Sequence, residues 1–140
     1  MKIKEREVKE YFLRLTQVSD LVLPSKLSFA ISYNMEKFQQ EFNRIEKERE
    51  KLCERYADKD EDERPVIVNS MVDGMKKQTY KMSEENSKLF AEEYEGLLDV
   101  EVDIEIRTVK KEVVQRCEEA DRYNIPSVSQ LFALSFMMED

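Results

Sequence analysis

Apolar residues return every three or four positions between Leu27 and Tyr56. Leu27, Ile31, Phe38, Phe42, Ile45 and Leu52 fall on one row, with Asn34 as a polar member inside it and Arg49 filling the turn between Ile45 and Leu52. The steps average about 3.6 residues, the period of an α-helix. The pattern predicts a single helix from Pro24 to Tyr56, about 50 Å long at about 1.5 Å per residue. Pro24 suits its start, because the first turn does not use the N–H that proline lacks. The remaining elements are expected to pack along this rod.

Before it, Met1–Lys4 reads as a short edge strand, and Val8, Tyr11, Phe12 and Leu15 mark an amphipathic helix over residues 5–18. After it, Val66–Val68 favour strand, Asp73-Gly74 is a two-residue hairpin signal and Gln78–Met82 is the return strand. Ser83 followed by Glu84 and Glu85 starts a helix that turns Phe90, Tyr94, Leu97 and Leu98 inward. Val100 to Arg107 alternates strictly between apolar and charged residues, the pattern of a strand with one buried face. A further helix is expected over 109–120. Asn124-Ile125-Pro126 breaks it, and Ser127 with Gln130 has capping-box spacing for an apolar terminal helix. The expected architecture is α+β: one long central helix, with shorter helices packed on a small, mostly antiparallel sheet. The chain reads as a single domain, residues 1–140, in which an acidic loop at 57–65 separates the long helix from the sheet-containing half.

Composition narrows the chemistry. The 140 residues include no histidine, which removes Ser-His-Asp and Cys-His pairs and histidine metal ligation. Cys53 and Cys117 alone cannot complete a tetrahedral zinc site, and Gly74 and Gly96 stand too far apart for a phosphate-cradling loop. No enzymatic activity, cofactor or metal is expected. Two cysteines and no apolar N-terminal or 20-residue run point to a reduced, soluble, intracellular protein. A formal charge of −8 disfavours direct binding to nucleic acid or anionic membranes.

Two carboxylate groups invite a metal reading. Asp58, Asp60 and Asp62 imitate the opening of a calcium loop, but Glu63 stands where glycine is required, Pro65 follows, and Asn69 takes the bidentate position. A solvated acidic loop is the expectation. Glu101, Asp103 and Glu105 would lie about 6.8 Å apart along one strand face, too far for two neighbours to grip one Mg²⁺. A metal-dependent nuclease is therefore a remote alternative.

The distribution of charge says more. Residues 84–105 hold nine acids against Lys88, a local −8 that equals the formal charge of the whole chain. A helix and a following strand are expected to present these acids on a shared surface, with Glu92, Glu93, Glu95, Glu101, Asp103 and Glu105 binding a partner that has a basic surface.

Four blocks, LPSKLSFAISYN, EKEREKLCERYADKDEDERP, FAEEYEGLLDVEVDIEIRTV and PSVSQLFALSFMMED, together resemble a small family of phage and prophage proteins of Gram-positive bacteria. The resemblance implies a phage or mobile-element origin, a bacterial cytoplasm as workplace and an accessory role. The expected function is a non-enzymatic factor that binds a host or phage protein, in its sharper form an antagonist of a host defence protein that handles nucleic acid. The alternative is an assembly or packaging accessory that forms a homodimer through the long helix at Ile45 and Leu52.

Overall fold

A computed structural model describes all 140 residues. The elements in order are β1 (Lys2–Lys4), α1 (Glu5–Thr16), α2 (Ser25–Tyr56), β2 (Ile67–Val72), β3 (Met75–Tyr80), α3 (Glu84–Leu98), β4 (Glu101–Asp103), β5 (Val109–Lys110), α4 (Lys111–Gln115), α5 (Val128–Leu134) and β6 (Met138–Glu139). The α+β class and the long helix stand as expected. The pairing is mostly antiparallel, as expected, but it is divided among three separate two-stranded sheets rather than one, β1–β4 and β2–β3 antiparallel and β5–β6 parallel. The chain divides into two compact units, Met1–Asn43 with Glu101–Asp140, and Arg44–Val100.

The first unit contains the main core. Leu27, Ile31 and Phe38 of α2 are at most 4% exposed, and they join Val8, Leu15, Val18, Ile104, Cys117, Leu134 and Met137 in one buried cluster. Asn34 lies in the same row at 0% exposure. Its Nδ2 donates to the Arg107 carbonyl at 2.9 Å, and its Oδ1 accepts from the Arg107 N–H at 2.7 Å. A side-chain amide carries the same donor and acceptor as a peptide, so Asn34 pairs with Arg107 as a neighbouring strand would.

That pairing explains where the alternating stretch departs from expectation. The ladder of β4 covers only Lys2↔Asp103, Ile3↔Val102 and Lys4↔Glu101. The Ile104 N–H still donates to the Met1 carbonyl at 2.8 Å. Beyond it, residues 104–108 have no strand partner, and Asn34 takes over. The alternation survives as burial from Val102 to Ile106, with Ile104 buried and Val102 and Ile106 half-buried, whereas Val100, expected on the same face, is 49% exposed. The helix expected at 109–120 is cut to Lys111–Gln115 and a 3-10 turn over Arg116–Glu118, because Val109 and Lys110 are drawn into the parallel pair with Met138 and Glu139. In α5 the Ser127–Gln130 capping box forms as read. Not all of this apolar helix is buried: Phe132 is 71% exposed under the Arg14 guanidinium, which also donates to the Phe132 carbonyl at 2.8 Å.

In the second unit, Ile45, Cys53 and Ala57 are buried on α2 and at its end. Ser83 caps α3 by accepting from the Asn86 N–H at 3.1 Å, but α3 buries no residue fully: Phe90, Tyr94, Leu97 and Leu98 turn inward and remain half-buried. The hairpin turns at Asp73 (φ 53°) and Gly74 (φ 77°), the two left-handed residues of a type I′ turn.

Replacing Asn34 by leucine keeps the branching at Cγ, adds some bulk and removes both bonds to Arg107. Leaving a partly buried N–H and C=O unpaired costs about 1–3 kcal/mol for each group. Urea unfolding of Asn34→Leu is expected to show a loss of about 3 kcal/mol, where a merely half-buried polar site would lose under about 1 kcal/mol.

Candidate functional site

The six acids singled out by the sequence are all exposed, but they belong to different units. Glu92, Glu93 and Glu95 lie on α3 in the second unit, and Glu101, Asp103 and Glu105 lie on and after β4 in the first. The three on β4 and its extension do not form a bare acidic row. Directly paired residues of an antiparallel ladder share a face. The register therefore sets Lys4 beside Glu101 and Lys2 beside Asp103, and the Met1 amine meets the Asp103 carboxylate at 3.0 Å. The field of this strand is largely balanced by its own partner, which linear sequence could not show.

The α3 row is different. Along this helix Glu84, Glu85, Glu92, Glu93 and Glu95 face solvent, while the Phe90 and Tyr94 rings lie 5.7 Å apart, tilted by 39°, on the inner side. Contacts temper the charge, among them Arg55 with Glu93 at 3.2 Å and Lys88 with Glu84 at 4.0 Å. Each of these cations offsets one of the five carboxylates, and both pairs are exposed and add little to stability. The expected inner face of α3 is real, and it orients the acids outward.

The acidic loop resolves into a turn. Asp60 Oδ1 accepts from the N–H groups of Asp62 (2.9 Å) and Arg64 (3.0 Å), and Glu63 takes a positive φ of 59°. The Asp60 carboxylate is thus committed to its own backbone. No three acidic or thiol side chains converge closely enough to hold one metal ion.

One constellation was not anticipated. Arg49, the polar residue in the apolar row, is bound by Glu46 at 3.1 Å and points Nη1 at Cys53 Sγ at 3.7 Å. An arginine beside a thiol can generate a reactive thiolate. Here burial dominates and pushes the Cys53 thiol up, with Arg49 pulling the other way and losing; burial also pushes up Cys117. Both thiols are free and buried. The i, i+4 spacing of Arg49 and Cys53 was visible in the sequence, but its burial was not. Ile45 and Leu52, the residues read as a dimer surface, are buried and half-buried.

No family model matches the chain, and no curated protein or solved structure is similar to it. No helix is long and apolar enough to cross a membrane.

A thiol whose pKa is raised by folding contributes stability that is present below its unfolded value and is lost as pH rises through the folded one. Neither cysteine is expected to react with a thiol-specific dye in the native chain at neutral pH, and both react after unfolding in urea. Above about pH 8.5, the free-thiol value, the urea midpoint is expected to fall.

Proposed function

We propose that this chain is a non-catalytic binding protein of phage or mobile-element origin, working in the bacterial cytoplasm, that docks on a basic surface of a host or phage protein. In the sharper form of this reading, its carboxylates occupy positions that nucleic-acid phosphates would take on a host defence protein. The origin rests on the sequence resemblance alone. The docking face rests on α3, whose half-buried aromatic side holds a run of glutamates in solvent. Such a face attracts cations over about a Debye length and raises the rate of encounter more than the final affinity.

The two halves of the acidic set make different contributions in this reading. The α3 acids supply most of the attraction, because Lys2 and Lys4 flank the β4 acids. The partner would be identified by affinity capture from an expressing bacterial host, then titrated against charge-neutralised variants. Changing Glu92, Glu93 and Glu95 to glutamine is expected to weaken binding at least about tenfold, or about 1.4 kcal/mol, and to flatten its salt dependence. Changing Glu101, Asp103 and Glu105 to their amides is expected to cost less. Unchanged affinity with all six neutralised would remove this face from the mechanism.

A further inference from the structure

We propose that the chain forms a homodimer through the open edge of β2, two copies of the strand pairing antiparallel about a two-fold axis at Asn69. The product is a four-stranded sheet in the order β3–β2–β2–β3.

The hairpin is incomplete as it stands. A lone two-stranded hairpin is marginally stable in water, and a third strand or a packed helix is normally needed. Both faces of this hairpin are open: Ile67 (55% exposed), Met71 (66%) and Met75 (65%) lie in solvent with Val68 and Val72. Its base is tied down through Lys81, whose carbonyl accepts from the Asp58 N–H at 2.7 Å, and through Tyr80, which donates to Glu50 at 3.2 Å.

The two edges are not alike. Natural sheets guard free edges with lysine, proline, short strands or bulges. β3 carries Lys76 and Lys77, whereas β2 reads IVNSMV, with no charge, no proline and an unbroken register. The unguarded edge is β2.

Backbone phase and register then select the occupant. In a hairpin closed by a two-residue type I′ turn, the residues flanking the turn form a hydrogen-bonded pair and alternate pairs follow. Val72–Met75, Ser70–Lys77 and Val68–Thr79 are therefore bonded pairs, and the Lys81 N–H donating to the Val66 carbonyl at 2.9 Å continues the series. Ile67, Asn69 and Met71 consequently turn their N–H and C=O groups away from β3. An antiparallel strand dimer with two-fold symmetry sets one residue opposite itself. Centred on Asn69, it sets Ile67 opposite Met71 of the second copy, and all three outward residues bond to one another. In these bonded pairs polar meets polar and apolar meets apolar; between them, Val66 faces Val72 and Val68 faces Ser70. Centred on Ser70, it would oppose Asn69 to Met71 and Ile67 to the turn residue Asp73. The lysines of β3 end on the outer strands, about 14 Å apart at about 4.8 Å per strand, beyond the Debye length of about 8 Å.

Light scattering of the full chain across a concentration series is expected to reach twice the chain mass and to fall on dilution. Asn69→Lys and Asn69→Glu each put like charges on the axis and are expected to be monomeric alone. Mixed, they are expected to regain the doubled mass. Asn69→Cys is expected to link two copies through a disulfide under mild oxidation, because bonded antiparallel Cα atoms lie about 5.5 Å apart; Ser70→Cys is not. A native chain that stays monomeric, including one whose β2 edge takes a strand from another protein, overturns the proposal. So does a dimer indifferent to both charges, or a mixture that remains monomeric.

Discussion

The first unit depends on a single amide. Asn34 sits at full burial in a row otherwise made of leucine, isoleucine and phenylalanine, where a polar side chain would be costly without partners. Its two bonds to the Arg107 backbone satisfy it and also fix the segment that leaves β4. Helix α2 and an extended stretch that has run out of strand are thereby held in one register. Asn124 does a similar job elsewhere in the unit. Its Oδ1 accepts from the Val22 N–H at 2.6 Å, and its own N–H donates to the Val22 carbonyl at 2.8 Å. Both asparagines replace a missing strand neighbour, which is how short, separate ladders can coexist with a well-satisfied backbone.

Much of this was legible from period and punctuation. The 3.6-residue recurrence located α2, the Asp73-Gly74 pair located the hairpin turn, and Ser83 and Ser127 located two helix starts. These signals are local, and local physics determines them. What could not be read depends on partners distant in sequence. The parallel pairing of Val109 with Met138 joins residues whose own patterns suggest helix. The alternation indicated the inward side chains at Val102, Ile104 and Ile106, but not that Val100 would stay 49% exposed or how far a ladder would run.

The candidate site shows the same division. The nine acids of residues 84–105 are contiguous in sequence but not one object in space. The register of β1 against β4 interleaves lysines with the strand acids, while α3 keeps its glutamates on one solvent side. Charge density along a chain therefore becomes a surface field only after the cross-strand neighbours have been added. Arg49 illustrates the opposite error: an apparent interruption of the apolar row is a charge neutralised by Glu46 beside a buried thiol.

The hairpin has one more consequence. It is attached to its unit mainly by backbone bonds around Asp58 and Val66 and by Tyr80, and none of its side chains is fully buried. Its opening thus exposes almost no apolar surface that was previously hidden. In a single copy, the free energy of that opening is decoupled from the cooperative melting of the rest, and the hairpin amides exchange with solvent as a separate, low-protection unit until a second copy covers the β2 edge. Proteases would meet an accessible tip at Asp73-Gly74 well before either helical core loosened.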